Sequence, residues 1–189
     1  MKTAATPEPF SVVFFDIGGT LGTVQERAGT RQLEVFATSI TLLQTWRDVL
    51  GLRLGIISNI PSDMSSADVR TMLATAGLLT LIDDDLIVTS RDAGAAKPDA
   101  RIYEVAAERA QISIGRCIYI GENPSEVTGA QAAGMGGLIK PLPVLGSVAA
   151  SGSLYPEGYA AIGSRPAAVA PGERGGAGSE GAYPAGKAE

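Results

Sequence analysis

Four separate stretches of this 189-residue chain set a reactive or charged side chain directly after an apolar run or in a loop between two of them. Val12 to Phe15 leads into Asp16, Gly18, Gly19 and Thr20; Leu54 to Ile57 leads into Ser58 and Asn59; the loop SRDAGAAKPDA carries Lys97; Cys117 to Ile120 leads into GENPSE, with Glu122 and Glu126. Short apolar runs of this kind read as buried strands. In an open parallel α/β sheet, ligands bind in the crevice at the C-terminal ends of the strands. A carboxylate able to act as a nucleophile, a hydroxyl, an ammonium and two more carboxylates would then share one edge. Such a set suits a phosphoryl group held between a cation and a hard metal ion. Singly, each has a plainer account. Asp16 could cap a turn, Lys97 could be an ordinary surface lysine, and Glu122 with Glu126 could be a solvated helix start where acids meet the positive end of the dipole. Their joint placement at strand exits is what points to a site.

Composition narrows the chemistry further. The chain has no histidine, which removes Ser-His-Asp and Cys-His mechanisms and imidazole-based zinc sites. Catalysis must therefore run on carboxylates, lysine, hydroxyls, backbone amides or a metal ion. A formal charge of −5 offers no field that would gather a phosphate backbone, so nucleic acid is not an expected partner. The single cysteine, Cys117, lies in an apolar run and reads as a core thiol, which excludes a disulfide framework and favours a reducing compartment. No apolar run approaches the roughly 20 residues of a membrane span, and MKTAATPEPF lacks the apolar core of a signal peptide. The expected location is the cytoplasm, with no membrane partner.

Elements that must position these residues follow from periodicity and punctuation. Gly22 to Arg31 is polar and reads as an exposed flap beside the site. Leu33 to Leu50, with apolar Leu42, Leu43, Trp46, Val49 and Leu50, predicts an amphipathic helix ended by Gly51. Ser65 or Ser66 should cap a helix through Val69, Met72 and Leu73 that stops at Gly77. Asp83 to Asp85 precede a short strand, Leu86 to Val88, at its wrong end for a site, and read as a solvated turn. Asp99 should cap a helix through Ile102, Tyr103 and Val105, and a further helix covers Val127 to Ala133 before a last strand, Gly137 to Ile139. Trp46 and Tyr103 fall on apolar faces as packing residues. Alternating strands and helices predict one α/β domain, a central parallel sheet with helices on both faces. Its core should span 11–143, after a short extension over 1–10. From 144 to 189 the composition turns to Gly, Ala, Ser and Pro, which predicts a disordered tail.

In their order and spacing, DIGGT (Asp16 to Thr20), IISN (Ser58, Asn59), AAKPD (Lys97) and IGENPSE (Glu122, Glu126) resemble the four motifs of the haloacid dehalogenase superfamily. The resemblance implies a Rossmann-like fold and, most often, Mg²⁺-dependent phosphatase activity through an aspartyl phosphate. It makes Asp16 the nucleophile and Lys97 the cation that neutralises the transferring group. Thr20, Ser58 and the amide of Asn59 would then form the substrate-binding side, Thr20 by supporting the loop. Asp16, the Gly18 carbonyl, Glu122 and Glu126 would form the Mg²⁺ site, where Glu126 would orient a metal-bound water or support Lys97.

Two departures from the family pattern bear on activity. Gly18 stands where family phosphatases carry a second Asp, the acid that protonates the leaving group and then deprotonates water; such help is worth about 10²- to 10⁴-fold in rate. Hydrolysis of alkyl phosphates should therefore be slow, and aryl or acyl phosphates favoured. Glu26 in the flap and Asp63 after the second strand are the nearest substitute acids by sequence. Both fourth-motif acids are also Glu, a methylene longer than the commoner Asp. The intervals between motifs are filled by the elements just described, so no cap domain is expected. In this family an open site implies a bulky or macromolecular phosphorylated substrate, or a lid supplied by a partner or by a second copy in a homodimer. A binding or regulatory protein that kept the fold and lost turnover is the alternative. Carbon–halogen hydrolysis is disfavoured by the retained acids, and phosphonate cleavage by the missing cap lysine.

Overall fold

The computed structural model describes residues 9–140. In chain order its elements are β1 (Val12–Phe15), β2 (Gly22–Arg27), β3 (Thr30–Val35), α1 (Ala37–Gln44), β4 (Arg53–Ser58), α2 (Ser66–Thr75), β5 (Ile87–Thr89), α3 (Ser90–Ala93), α4 (Ala100–Ala110), β6 (Cys117–Gly121), α5 (Pro124–Ala132) and β7 (Gly136–Ile139). Five strands form one parallel sheet in the order β5-β4-β1-β6-β7, and β2 pairs with β3 as a separate antiparallel hairpin. The expected tail, and all but the last two residues of the N-terminal extension, lie outside the described residues.

Register explains why distant motifs meet. Phe15 pairs with Ile56 on one side and with Ile120 on the other. The chain leaving β1 at Asp16 is therefore level, within a residue, with Ser58 and Glu122. Because β1 lies between β4 and β6, the chain crosses from one half of the sheet to the other beside it, and this is the crevice position of an open α/β sheet.

Alternation along the strands builds two cores. Val13, Phe15, Leu54, Ile56, Ile118 and Ile120 face α1 and α2, where Trp46 lies 5.6 Å from the Phe15 ring. Val12, Phe14, Ile57, Val88, Cys117 and Tyr119 face α4 and α5, where Tyr103 meets Tyr119 edge-on at 5.5 Å. Both faces are apolar because a parallel sheet is covered by helices on either side. Burial pushes the Cys117 thiol up to about 12, which fits an inert core residue.

Several local elements differ from the sequence reading. The flap is an ordered hairpin: β3 continues through Val35, and the following helix starts only at Ala37, its end widened into a π-helical turn over Thr45–Val49. Alternation in TRQLEV buries only Leu33, a weak strand signal beside an apolar helix. The loop before Lys97 begins with a short helix, α3, held by a reciprocal cap in which Thr89 and Asp92 bind each other's backbone N–H. Ser65 caps α2 by the same device. Asp99 caps α4 as expected, and α5 starts earlier than predicted because Asn123 caps it with Pro124 at its first position. Asp83 and Asp85 pair with Arg53, and Asp84 with Arg70, all at the end of the sheet away from the site.

At Gly55, in β4, an added Cβ would lie 2.6 Å from the buried Phe14 ring and 2.8 Å from the Leu86 carbonyl oxygen. Gly55→Ala should therefore lower stability by about 1–3 kcal/mol through overpacking. Urea denaturation measures this; a change below about 0.5 kcal/mol would mean that the layer yields.

Candidate active site

Lys97 is the centre of the site. Its ammonium is almost wholly buried and lies 2.6 Å from Asp16 Oδ1, 2.8 Å from Glu126 Oε2 and 2.8 Å from the Tyr119 hydroxyl. The ammonium donates hydrogen bonds to Asp16 and to Tyr119 and forms an ion pair with Glu126. Tyr119 in turn donates to Glu126 Oε2 at 2.7 Å. The lysine backbone is fixed as firmly as its tip. Asn59 Oδ1 accepts from Lys97 N–H at 2.8 Å, and Asn59 Nδ2 donates to the Lys97 carbonyl at 3.1 Å. Gly129 brings α5 so close to Pro98 that a Cβ would fall 2.5 Å from the Pro98 carbonyl oxygen.

A second knot forms in the loop after β1. Thr20 Oγ1 donates to Glu122 Oε2 at 2.7 Å and accepts from Glu122 N–H at 3.2 Å. Gly19 has φ +69°, and a Cβ there would press on the Glu122 side chain at 2.9 Å. The position admits glycine on both counts. Lys140, after β7, donates to the carbonyls of Thr20 and Gly19 and rests 4.0 Å from the centre of the Phe36 ring. Burial holds its pKa below the usual lysine value, with the Glu122 charge opposing.

Around these knots a cavity of about 350 Å³ opens, lined by Asp16, Gly18, Ser58, Lys97, Glu122 and Glu126. Burial raises the Asp16 carboxyl to about 6. The Lys97 charge and hydrogen bond work against that rise, and the charges of Glu122 and Glu126 add to it. Ser58 is buried, and among the described residues its hydroxyl makes one long hydrogen bond, 3.4 Å to the Asn59 carbonyl, so it is free to turn toward a ligand.

The structure brings Asp16, Gly18, Ser58, Asn59, Lys97, Glu122 and Glu126 to one cavity, with Thr20 bonded to Glu122, and gives three of these residues partners that change their expected roles. Glu126 is drawn to Lys97 and Tyr119, so it supports the lysine and is not placed as a metal ligand. Thr20 gives both hydrogen bonds of its hydroxyl to Glu122 and positions that acid instead of binding substrate. Asn59 commits its side-chain amide to the Lys97 backbone, leaving only its main-chain N–H for a phosphate. Glu26 and Asp63 line a neighbouring cavity of about 340 Å³, not the one holding Asp16. Sequence reasoning passed over Tyr119 as core; the available signal was that a buried phenol in CIYI needs a partner for its hydroxyl.

Among the described residues, no group of three or more His, Cys, Asp or Glu is arranged to hold a metal ion. Two carboxylates remain for one. Asp16 has one oxygen on Lys97 and Glu122 has one on Thr20, which leaves a second oxygen of each without a side-chain partner among the described residues, and both residues line the cavity together with Gly18. This sparse all-oxygen set fits Mg²⁺, which keeps waters and takes substrate phosphate to complete its shell.

A parallel sheet in this order with an Asp–Lys pair at its carboxyl edge defines a class of hydrolase fold. The sequence model for haloacid dehalogenase-like hydrolases matches residues 22–134. The chain belongs to that family. It is 35% identical over 85 residues to Phosphatase MT3486 of Mycobacterium tuberculosis, covering 45% of this chain and 37% of that protein. It is 34% identical over 95 residues to haloacid dehalogenase-like hydrolase domain-containing protein 3 of Danio rerio, covering 50% and 36% respectively. The matched stretches thus span little more than a third of either relative. The structure of the HAD-hydrolase YfnB from Bacillus subtilis bound to magnesium superposes with a TM-score of 0.54 at 14% identity, covering 68% of this chain and 85% of that one, and shows the shared fold. No helix among the described residues is long and apolar enough to cross a membrane.

Replacing Tyr119 by Phe removes one acceptor from a buried ammonium and one donor from Glu126 with almost no change of shape. Tyr119→Phe should cost about 1–3 kcal/mol of stability. Chemical denaturation tests this, and an unchanged midpoint would mean that two carboxylates alone satisfy Lys97.

Proposed function

We propose that the chain is a phosphomonoesterase that works through an aspartyl phosphate on Asp16, assisted by Mg²⁺ and limited to good leaving groups. The observation that carries this reading is the buried Asp16–Lys97 pair at the mouth of the cavity. Lys97 fixes one oxygen of Asp16, which leaves the other aimed as a nucleophile and keeps the carboxylate ionised against the effect of burial. In the first step Asp16 bonds to phosphorus as the phosphorus–oxygen ester bond breaks, and the leaving group departs with the electron pair. Ser58 and the main-chain N–H of Asn59 would hold the phosphoryl oxygens. Bound between Asp16, the Gly18 carbonyl and Glu122, Mg²⁺ would supply charge neutralisation for the phosphoryl group.

Leaving-group preference follows from which acids line the cavity. Among the described residues, Asp16, Glu122 and Glu126 are the carboxyl groups lining it, and each already has an assigned partner or role. None is free to protonate an alkoxide. Aryl and acyl phosphates, which leave without a proton, bypass that deficit. The second step, attack of water on the aspartyl phosphate, lacks a base for the same reason and should be slower than the first. The intervals from Asp16 to Ser58 and from Ser58 to Lys97 hold only the hairpin and helices described, which supports an open, uncapped site and a bulky substrate.

With 4-nitrophenyl phosphate and Mg²⁺, stopped-flow absorbance should show a burst of nitrophenol close to one per enzyme, then slow turnover. Asp16→Asn should abolish both phases; activity that survives it would remove the covalent mechanism. A Cβ at Gly18 meets nothing within 4 Å. Gly18→Asp should therefore fold normally and speed alkyl phosphate hydrolysis by about 10²-fold or more. Equal rates for this variant and the parent on alkyl esters would refute the missing-acid account.

A further inference from the structure

Arg31 lies in β3, on the hairpin that overhangs the sheet edge, and it lines both the cavity holding Asp16 and the neighbouring one. Among the described residues it is the one cationic side chain lining the catalytic cavity besides Lys97, whose ammonium is already held by Asp16, Glu126 and Tyr119. Only Nη2 of Arg31 is engaged, donating to Asp63 Oδ2 at 2.9 Å. Its Nε and Nη1 have no hydrogen-bond partner among the described residues. Asp63, itself about two-thirds exposed, lines the second cavity alone, so the pair holds the guanidinium in place from the side away from the nucleophile. The same cavity wall includes apolar Val24, Ile60, Pro61 and Met64.

The geometry points to Arg31 as a specificity-determining residue that binds a second anionic group on the leaving-group side of the substrate, across an apolar spacer that packs on Ile60 and Met64. This rests on the phosphatase reading of the same site and narrows its substrate to phosphomonoesters with an apolar, ring-like leaving group that ends in a carboxylate or second phosphate. Three features favour it. A guanidinium presents its donors as a rigid fork that can take one carboxylate on Nη2 and a second on the free Nε and Nη1. The apolar wall contributes by area and not by direction, so it tolerates a flat ring but cannot read its far end. The acids Glu26, Asp63 and Asp68 that surround Arg31 raise its pKa, chiefly through the Asp63 hydrogen bond, and so keep it charged at any working pH. They also make the opposite preference, for a cationic leaving group, the competing outcome.

Three esters separate these cases: phenyl phosphate, 4-(carboxymethyl)phenyl phosphate and 4-(aminomethyl)phenyl phosphate. The protein should favour the carboxylate ester over phenyl phosphate by about tenfold in kcat/KM, as charge-assisted Arg–carboxylate hydrogen bonds do. In Arg31→Met that ratio should fall to near one, and Arg31→Lys should recover part of it. A ratio near one in the parent protein, a ratio unmoved by Arg31→Met, or a preference for the amine ester would each overturn the assignment while leaving the phosphatase reading intact. Calorimetric binding of benzylphosphonate and of 4-(carboxymethyl)benzylphosphonate needs no turnover. If no ester is hydrolysed yet the carboxylate compound binds more tightly and loses that advantage in Arg31→Met, the phosphatase reading fails and the role of Arg31 stands. Equal binding of the two phosphonates overturns it.

Discussion

A buried ammonium constrains the site more than any other group. Taking Lys97 out of solvent is tolerable because Asp16 and Tyr119 accept its hydrogen bonds and Glu126 adds a second opposite charge. Losing one partner of a buried pair is costly because it strands a charge; removing it typically destabilises by about 3–5 kcal/mol. The contact between Lys97 and Asp16 closes a span of 81 residues. Everything that fixes Lys97 therefore also fixes the nucleophile: the Asn59 clamp on its backbone, the approach of α5 at Gly129, and the register that levels β1 with β6. Stability and catalytic geometry are carried by the same few contacts.

The loop after β1 obeys a different constraint. Two adjacent glycines there are not equivalent. Gly19 is required by its left-handed backbone and by the Glu122 side chain against it, whereas a side chain at Gly18 would stand in open space. Packing thus explains one glycine and leaves the other unexplained by sterics. The absence of an acid at position 18 is a matter of chemistry and not of room, and it bears on reaction rate without bearing on folding.

Much of this was legible in the sequence because it depends on local rules. Apolar runs ending in Asp16, Ser58 and Glu122 announced both the strands and the edge they share, and Ser65 and Asp99 capped the helices they preceded. What was hidden depends on partners far away in the chain. Nothing in IGENPSE says that Glu126 turns to Lys97 while Glu122 turns to Thr20; Glu122 precedes the Asn123 cap of α5 and Glu126 lies in the first turn of that helix, so each has its own neighbours. Tyr119 looked like core because its ring is core, and only its hydroxyl belongs to the site. The hairpin was missed because β2 and β3 bury almost nothing on their own, so their alternation is faint. Arg31 went unnoticed with it.

Charge balance ties these parts together. The cavity faces three carboxylates, Asp16, Glu122 and Glu126, with one ammonium of its own, Lys97, and a guanidinium whose nearest carboxylate, Asp63, lies outside it. Burial raises Asp16, the Lys97 charge and hydrogen bond oppose that rise, and the two neighbouring glutamates add a smaller amount to it. A phosphomonoester brings about two more negative charges at neutral pH. Such an anion would be attracted by Lys97 and repelled by Glu122. A divalent cation held by Asp16 and Glu122 would offset that repulsion. The same placement would further favour the ionised form of Asp16. The balance of charge among the described residues is thus one that an added cation would complete.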